Sequence, residues 1–388
     1  MAFELFPAAH GAILRGELEQ TYNSGVSVPD ASVYRAPLES TFNSYDRTFL
    51  PRQTQAAFIS GVKASPASAR ATYSIEVVLD HEALDGTTNI AAEGSMVNVP
   101  QADIWWRAGG WVADYASSAD YTGIKPDSIT LAGGSNDRIL TYTYKPRSTG
   151  QNFTSARFKY TEISESAEGL VHDIKGARHG WTLNMPGGEH WTLACDGMGV
   201  ATKPVKDGSP TTNSTFDDSD AIVGLGGNYS VTKFVTSDAT FGKTGGEAAN
   251  ASTMQAFVYN MSLASNLEIV EVQSGSSDRS VAQVRYSAGV PQLTCTLDQV
   301  VWDDDWDLYT FADNANAIRV SHACPLPGST TSFVLFSGTF QITNIVKGSD
   351  NGYRNVELTM DYVYPQNSTD DGGLLPAPGI TFKYITVV

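Results

Sequence analysis

Three cysteines in 388 residues, at positions 195, 295 and 324, are too few and too scattered for a disulfide framework or a zinc site. Cys195 falls on the apolar side of an alternating run and reads as core. Basic residues are scarce as well: 25 Lys and Arg stand against 42 Asp and Glu, a formal net charge of −17. That deficit argues against a protein that wraps nucleic acid by neutralising phosphates, but not against a surface past which a duplex slides. The acidity also serves solubility. No stretch approaches ~18 apolar residues, and the N-terminal MAFELFPAAHGAILRG has no basic region followed by a long apolar one. The chain is therefore read as soluble, made in a cytoplasm and without a membrane partner.

The patterns of catalysis are missing too. There is no Gly-x-Ser-x-Gly elbow, and Leu131 to Asp137 is turn chemistry without a P-loop Lys-Ser/Thr or a nucleotide fingerprint. Among the many carboxylates no pair stands in a patterned setting. His172, His179 and His190 have no tight i, i+4 spacing and read as strand-end histidines rather than zinc ligands. The run Trp302-Asp303-Asp304-Asp305-Trp306-Asp307 clusters hard oxygen ligands but lacks the Gly and distal Glu of the helix-loop-helix calcium motif. Acids there also complement a helix start. The expectation is no enzyme, no cofactor and no metal.

What is present is strand. A 41% hydrophobic, 10% aromatic chain of this length supports two or three folded domains rich in Tyr, Thr, Val and Phe. The clearest element runs from Val171 to Gly199: Trp181, Leu183 and Met185 alternate with Thr182 and Asn184, Pro186-Gly187-Gly188 breaks the run, and Trp191, Leu193 and Cys195 alternate with Thr192, Ala194 and Asp196. Period two around a Pro-Gly-Gly turn predicts a hairpin with one buried face and one wet or partnered face.

Upstream, Tyr73, Ile75, Val77 and Leu79 alternate as a strand, and further strands are predicted over Ser128 to Leu131, Arg138 to Tyr144 and Ser155 to Ile163. Pro100 opens a short helix, Pro100 to Ala108, stopped by Gly109-Gly110. Residues 36–70, punctuated by Pro37, Pro51 and Pro66, read as a long loop. Residues 204–250 read as a Gly/Ser/Asp/Thr-rich linker able to carry a strand such as Tyr229 to Val235.

From Met254 the order of elements repeats. FVYNMSLASN (Phe257 to Asn266) echoes SVYRAPLEST (Ser32 to Thr41), and VRYSAGVPQLTCTLD takes the place of ATYSIEVVLD. VVWDDDWDLYTFA, with a helix over Asp303 to Ala312, takes the place of QADIWWRAGGW. A second hairpin sets Phe340 and Ile342 opposite Val356, Leu358 and Met360 across the Asp350-Asn351-Gly352 turn.

This order resembles the tail tube proteins of long-tailed bacteriophages. The residues that carry the resemblance are LRGELEQTYNSG (Leu14 to Gly25), FLPRQ (Phe49 to Gln53), ATYSIEVVLD (Ala71 to Asp80), QADIWWRAGGW (Gln101 to Trp111), LTYTYKP (Leu140 to Pro146), Lys175-Gly176-Ala177-Arg178, Trp181 to Met185 and Trp191 to Gly199. It covers the first 200 residues or so, with His179 standing between Arg178 and Gly180 where the family pattern has none.

The resemblance implies a mainly β chain with two tandem tail-tube-like sandwich or barrel domains, each with one short helix and each lending strands to a tube barrel shared between subunits. Domain one is expected over 1–203, with an N-terminal arm and the loop 36–70 reaching neighbouring subunits, and domain two over 251–388. Partners would be the chain itself, as a ring of three with pseudo-sixfold symmetry or a hexamer, then stacked rings, other tail proteins and genomic DNA in transit. The location would be the virion, after assembly in the host cytoplasm.

Trp181, Leu183, Trp191, Leu193, Phe340, Ile342, Val356 and Leu358 are the expected cores of the two wall hairpins. Asp173, Glu189, Asp196, Glu357 and Asp361 are the candidate acids facing the lumen. The alternative is a carbohydrate-binding or adhesive β-sandwich that stacks sugars on exposed aromatics, which the seven tryptophans allow.

Overall fold

The computed structural model describes residues 12–19, 21–28, 33–34, 40–50, 65–79, 102–114, 128–131, 138–146, 154–163, 168–186, 191–209, 231–236, 253–273, 281–287, 289–298, 308–309, 312–313, 317–325, 333–350, 352–363 and 380–387. The fold is mainly β, with almost no helix. In chain order the first half contains β1 (Ala12–Glu19), β2 (Val33–Tyr34), β3 (Thr41–Leu50), β4 (Ser65–Val78), helix α1 (Asp103–Ala108), β5 (Trp111–Asp114), β6 (Ser128–Leu131), β7 (Arg138–Pro146), β8 (Ser155–Ile163), β9 (Gly169–Asn184), β10 (Thr192–Val200) and β11 (Val205–Asp207). The second contains β12 (Val231–Thr236), β13 (Thr253–Ala264), β14 (Ile269–Gln273), β15 (Val281–Tyr286), β16 (Gln292–Asp298), β17 (Ala317–Pro325), β18 (Phe333–Asp350), β19 (Tyr353–Tyr362) and β20 (Ile380–Val387).

Two antiparallel ladders have the same order. In the first half the pairings run β1-β8-β9-β10-β4-β3, and β2 pairs back onto β1. In the second they run β12-β17-β18-β19-β16-β13, and β13 pairs back onto β12, which closes a six-stranded ring. β2 and β3, consecutive in the chain, divide between them the two pairings that β13 makes alone. Closing a sheet on itself removes the edges that would otherwise solicit other strands.

One strand in each half is long enough to serve two ladders. The 16-residue β9 pairs with β8 up to Ala177 and with β10 from Lys175 onward, the two overlapping at register shifts around Gly176, whose φ is +58°. A side chain there would be strained and would meet the Tyr22 ring, so the bend needs glycine. The 18-residue β18 bends likewise at the shift between Ile342 and Asn344.

The halves are joined twice. Ser262, Leu263 and Ala264 of β13 pair with Asn184, Leu183 and Thr182 of β9, and β20 lies between β18 and β7, with Phe382 opposite both Phe336 and Tyr144. The β14–β15 hairpin, inserted between β13 and β16, also leans on the first half. Arg178 donates to the Val284 carbonyl at 2.7 Å, Arg70 pairs with Glu271 at 3.2 Å, and Tyr286 donates to the Ala108 carbonyl.

Helix α1 forms where Asp103 stands in the first turn and Arg107 in the last, and it ends at Gly109-Gly110, with Gly110 at φ +87°; charge at both ends suits the helix dipole. It starts at Asp103 rather than Pro100, which lies outside the described residues. Trp105 stacks on Phe158 with centroids 4.8 Å apart, and Trp106 and Trp111 lie at 5.8 and 5.0 Å from Trp181. These rings and the inward residues of both ladders form one buried cluster. Of the second helix, expected over Asp303–Ala312, residues 308, 309 and 312 are helical and 303–307 lie outside the described residues.

Two expectations are corrected. The stretch 36–70 is not a loop over most of its described length: β3 and β4 pair there as a ribbon as far as Leu50 opposite Ser65. Two register shifts in that ribbon, at Asn43/Asp46 and Arg47/Phe49, break the period-two pattern that would have revealed it. Nor is the N-terminal segment wholly an arm, because β1 pairs along its whole length with β8. Its following turn is held by Arg157, which donates to the Gly25 and Val26 carbonyls at 3.2 and 2.6 Å. Within the expected linker 204–250, β12 pairs with both β13 and β17.

Candidate functional site

Through the β9–β13 joint, the two ladders present a common wall of eight strands in the order β3-β4-β10-β9-β13-β16-β19-β18. Cross-strand partners share a face. One face is therefore read directly: Tyr73, Ile75, Val77, Leu193, Cys195, Trp181, Leu183, Met261, Leu263, Leu293, Cys295, Leu297, Val356, Leu358, Met360 and Ile342 are all buried. Each fully buried Leu or Val contributes about 1.5–3 kcal/mol, so this face fixes the register of the whole wall.

The opposite face is short, polar and acidic. Across the first half it carries rows such as Glu76, Ala194 and Thr182, then Ser74, Asp196 and Gly180. Across the second it carries Asn260, Thr296, Glu357 and Val346, then Ser262, Thr294, Thr359 and Asn344. At the joint the Ser262 hydroxyl donates to Asn184 Oδ1 at 3.0 Å. Glu76, Asp196 and Glu357 are exposed. Glu76 accepts from the Thr192 hydroxyl at 2.5 Å and Asp361 from the Gln292 amide at 2.9 Å. No lysine or arginine stands in the described rows between Thr192 and Asp196 of β10, and between Asn355 and Asp361 of β19 the one basic residue is Lys347, opposite Val356 of the buried face.

Of the five candidate acids, Asp196, Glu357 and Asp361 stand on this face. Asp173 does not join them: it sits in the part of β9 that pairs with β8, where Arg157 grips both carboxylate oxygens at 2.8 and 2.7 Å. Glu189 lies outside the described residues. The eight hairpin residues Trp181, Leu183, Trp191, Leu193, Phe340, Ile342, Val356 and Leu358 are all buried. Glu76 had not been singled out, although its place between Ile75 and Val77 in an alternating run marks it as outward.

Behind the wall, three buried groups tie α1 to the sheet. Trp181 Nε1 donates to the Gly109 carbonyl at 2.9 Å. His179 reaches the Trp105 carbonyl with Nε2 at 2.7 Å and Tyr73 Oη with Nδ1 at 2.8 Å. A carbonyl can only accept, so Nε2 carries the proton and Nδ1 accepts from Tyr73. Burial lowers the His179 pKa to about 4, which keeps the ring neutral. His172 is a separate, half-buried group beside Ser44 and Glu162, and His190 lies outside the described residues.

Among the described residues no three His, Cys, Asp or Glu side chains gather closely enough to hold a metal ion, and no helix is long and apolar enough to cross a membrane. Trp105, Trp106, Trp111, Trp181 and Trp191 are all buried. Compared with protein-family models and with curated proteins, the chain matches none.

Proposed function

We propose that this chain is the structural subunit of a bacteriophage tail tube. In that role it assembles itself into rings that stack into a channel for double-stranded DNA. The observation that carries the reading is the eight-stranded wall: its apolar face is filled by the chain's own core, and its other face carries polar and acidic side chains. A duplex carries one negative charge per ~1.7 Å of its axis. Exposed Glu76, Asp196 and Glu357 repel it weakly over a Debye length of ~8 Å, so it passes centred and unbound.

The identical pairing order of the two ladders supports an internal duplication of one tube domain. A chain that supplies two equivalent positions closes a six-position ring as a trimer, with a hexamer as the competing count. The buried tryptophans weigh against the sugar-stacking alternative, which needs exposed rings. Negative-stain microscopy of purified protein tests the proposal. Rings or tubes with an open centre are expected, and featureless single particles at all concentrations would refute it.

A further inference from the structure

The wall ends in two open edges. Among the described residues no strand pairs with the second edge of β3, and none pairs with the second edge of β18 beyond Gln341, the last residue opposite β17. Both edges sit at the surface: Thr41, Asn43, Asn344, Val346 and Gly348 are exposed, Val346 at 48%. Natural proteins cover or blunt such edges because unpaired backbone groups recruit strands. Neither segment, 41–43 or 343–350, contains proline; the one central charge, Lys347 opposite buried Val356, is drawn over the Tyr309 ring at 4.8 Å and leaves the backbone edge itself unblocked.

The chain already contains a finished version of this joint. β9 holds in the first ladder the place that β18 holds in the second, and β3 stands to β4 as β13 stands to β16. Within the chain, β13 pairs with β9. The corresponding contact of β3 with β18 is not made inside one copy, since the two strands stand at opposite ends of the wall. Adjacent wall strands alternate in direction over an even number of strands, so β3 and β18 run oppositely. A β18 edge of one copy therefore meets a β3 edge of the next antiparallel, and the alternation continues unbroken.

We infer that copies of this chain join by pairing the open edge of β3 in one with the open edge of the C-terminal half of β18 in the next, repeating between chains the β9–β13 joint within each. The inference rests on the tube-wall reading and names its lateral contact. The contact is heterologous, with different surfaces meeting, so each copy keeps one edge of each kind for its two neighbours and the series closes only as a ring.

Variants that each add one exposed cysteine in a Cys324→Ser background, where the remaining Cys195 and Cys295 are buried, test this. Asn43→Cys is mixed in turn with Val346→Cys, Gly348→Cys and Asp350→Cys, which span the registers open to an antiparallel pair, and the mixtures are mildly oxidised. Facing Cβ atoms in such a pair lie about 4.5–5.5 Å apart, close enough to bond. The expected result is a covalent dimer in at least one mixture and single chains in every unmixed variant. Asn43→Cys dimerising with itself, or rings visible by microscopy with no cross-link in any mixture, overturns the joint while leaving the tube reading standing. Single chains by light scattering at every concentration overturn both.

Discussion

Leu183 of β9 and Leu263 of β13 face one another in register, and both are fully buried, although one belongs to each half of the chain. Around them Met185 and Met261 exchange backbone hydrogen bonds at 2.7 and 3.3 Å, and Ser265 binds the Trp181 backbone. The halves thus share one core. Leu263→Ala is expected to destabilise by about 2–5 kcal/mol and to shift the unfolding of both halves together. Urea unfolding followed by near-UV circular dichroism and by tryptophan fluorescence checks this. Five of the seven tryptophans lie in the first half and Trp302 and Trp306 in the second, so in a Trp302→Phe, Trp306→Phe background an unchanged fluorescence midpoint would show that the halves melt separately.

His179 makes stability depend on acid. Its folded pKa, lowered by burial to about 4, lies below the ordinary unfolded value of ~6.5. The contribution is therefore complete above pH ~6.5 and is lost as pH falls toward 4, at up to about 1.4 kcal/mol per pH unit. The total is on the order of 3 kcal/mol. His179→Gln, which cannot take up the proton, is expected to flatten this decline in unfolding midpoints measured between pH 7.5 and 4.5, at some cost in stability at neutral pH.

Arg157 holds Asp173 and two carbonyls of the turn after β1 at once. Hydrogen bonds to charged groups contribute about 1.5–3 kcal/mol, and the pair is largely buried. Arg157→Ala should cost about 2 kcal/mol and expose the turn at 21–28 to protease, read by the rate of cleavage there. Lysine, which lacks the planar fork, should restore only part of the protection.

Reversing charge on the wall separates folding from transit. Asp196 and Glu357 are exposed, so Asp196→Lys with Glu357→Lys should change the unfolding free energy by about 0.5 kcal/mol or less per site and leave assembly intact. Particles built from the variant should release DNA more slowly, and the delay should shrink as salt is raised. Ejection at the wild-type rate would leave these acids a role in solubility alone.

Much of this wall is legible in the sequence because its signal is local. Trp181 to Met185 and Trp191 to Cys195 alternate without interruption, and the buried face follows from period two. β3 was hidden: its bulges spoil the alternation, and Pro51 and Pro66 resemble loop punctuation. β1 was passed over as an arm because its pattern of burial is irregular and its partner β8 lies far along the chain. The joints β9–β13 and β20–β7 join residues tens to hundreds of positions apart, and no local pattern encodes which strand meets which. Asp173 could be seen as acidic, but its capture by Arg157 depends on the pairing of β8 with β9.

The place of β20 sets the order in which the molecule can be completed. It pairs with β7, whose strand begins at Arg138, and with the start of β18, yet it is synthesised long after β7. A chain growing from its N-terminus at about 5–20 residues per second holds β7 open on that side for roughly ten seconds or more before its partner exists. The first half therefore waits, incomplete, for β20 to be made, and a chain halted before residue 380 carries a bare strand that aggregates or is degraded instead of joining its neighbours.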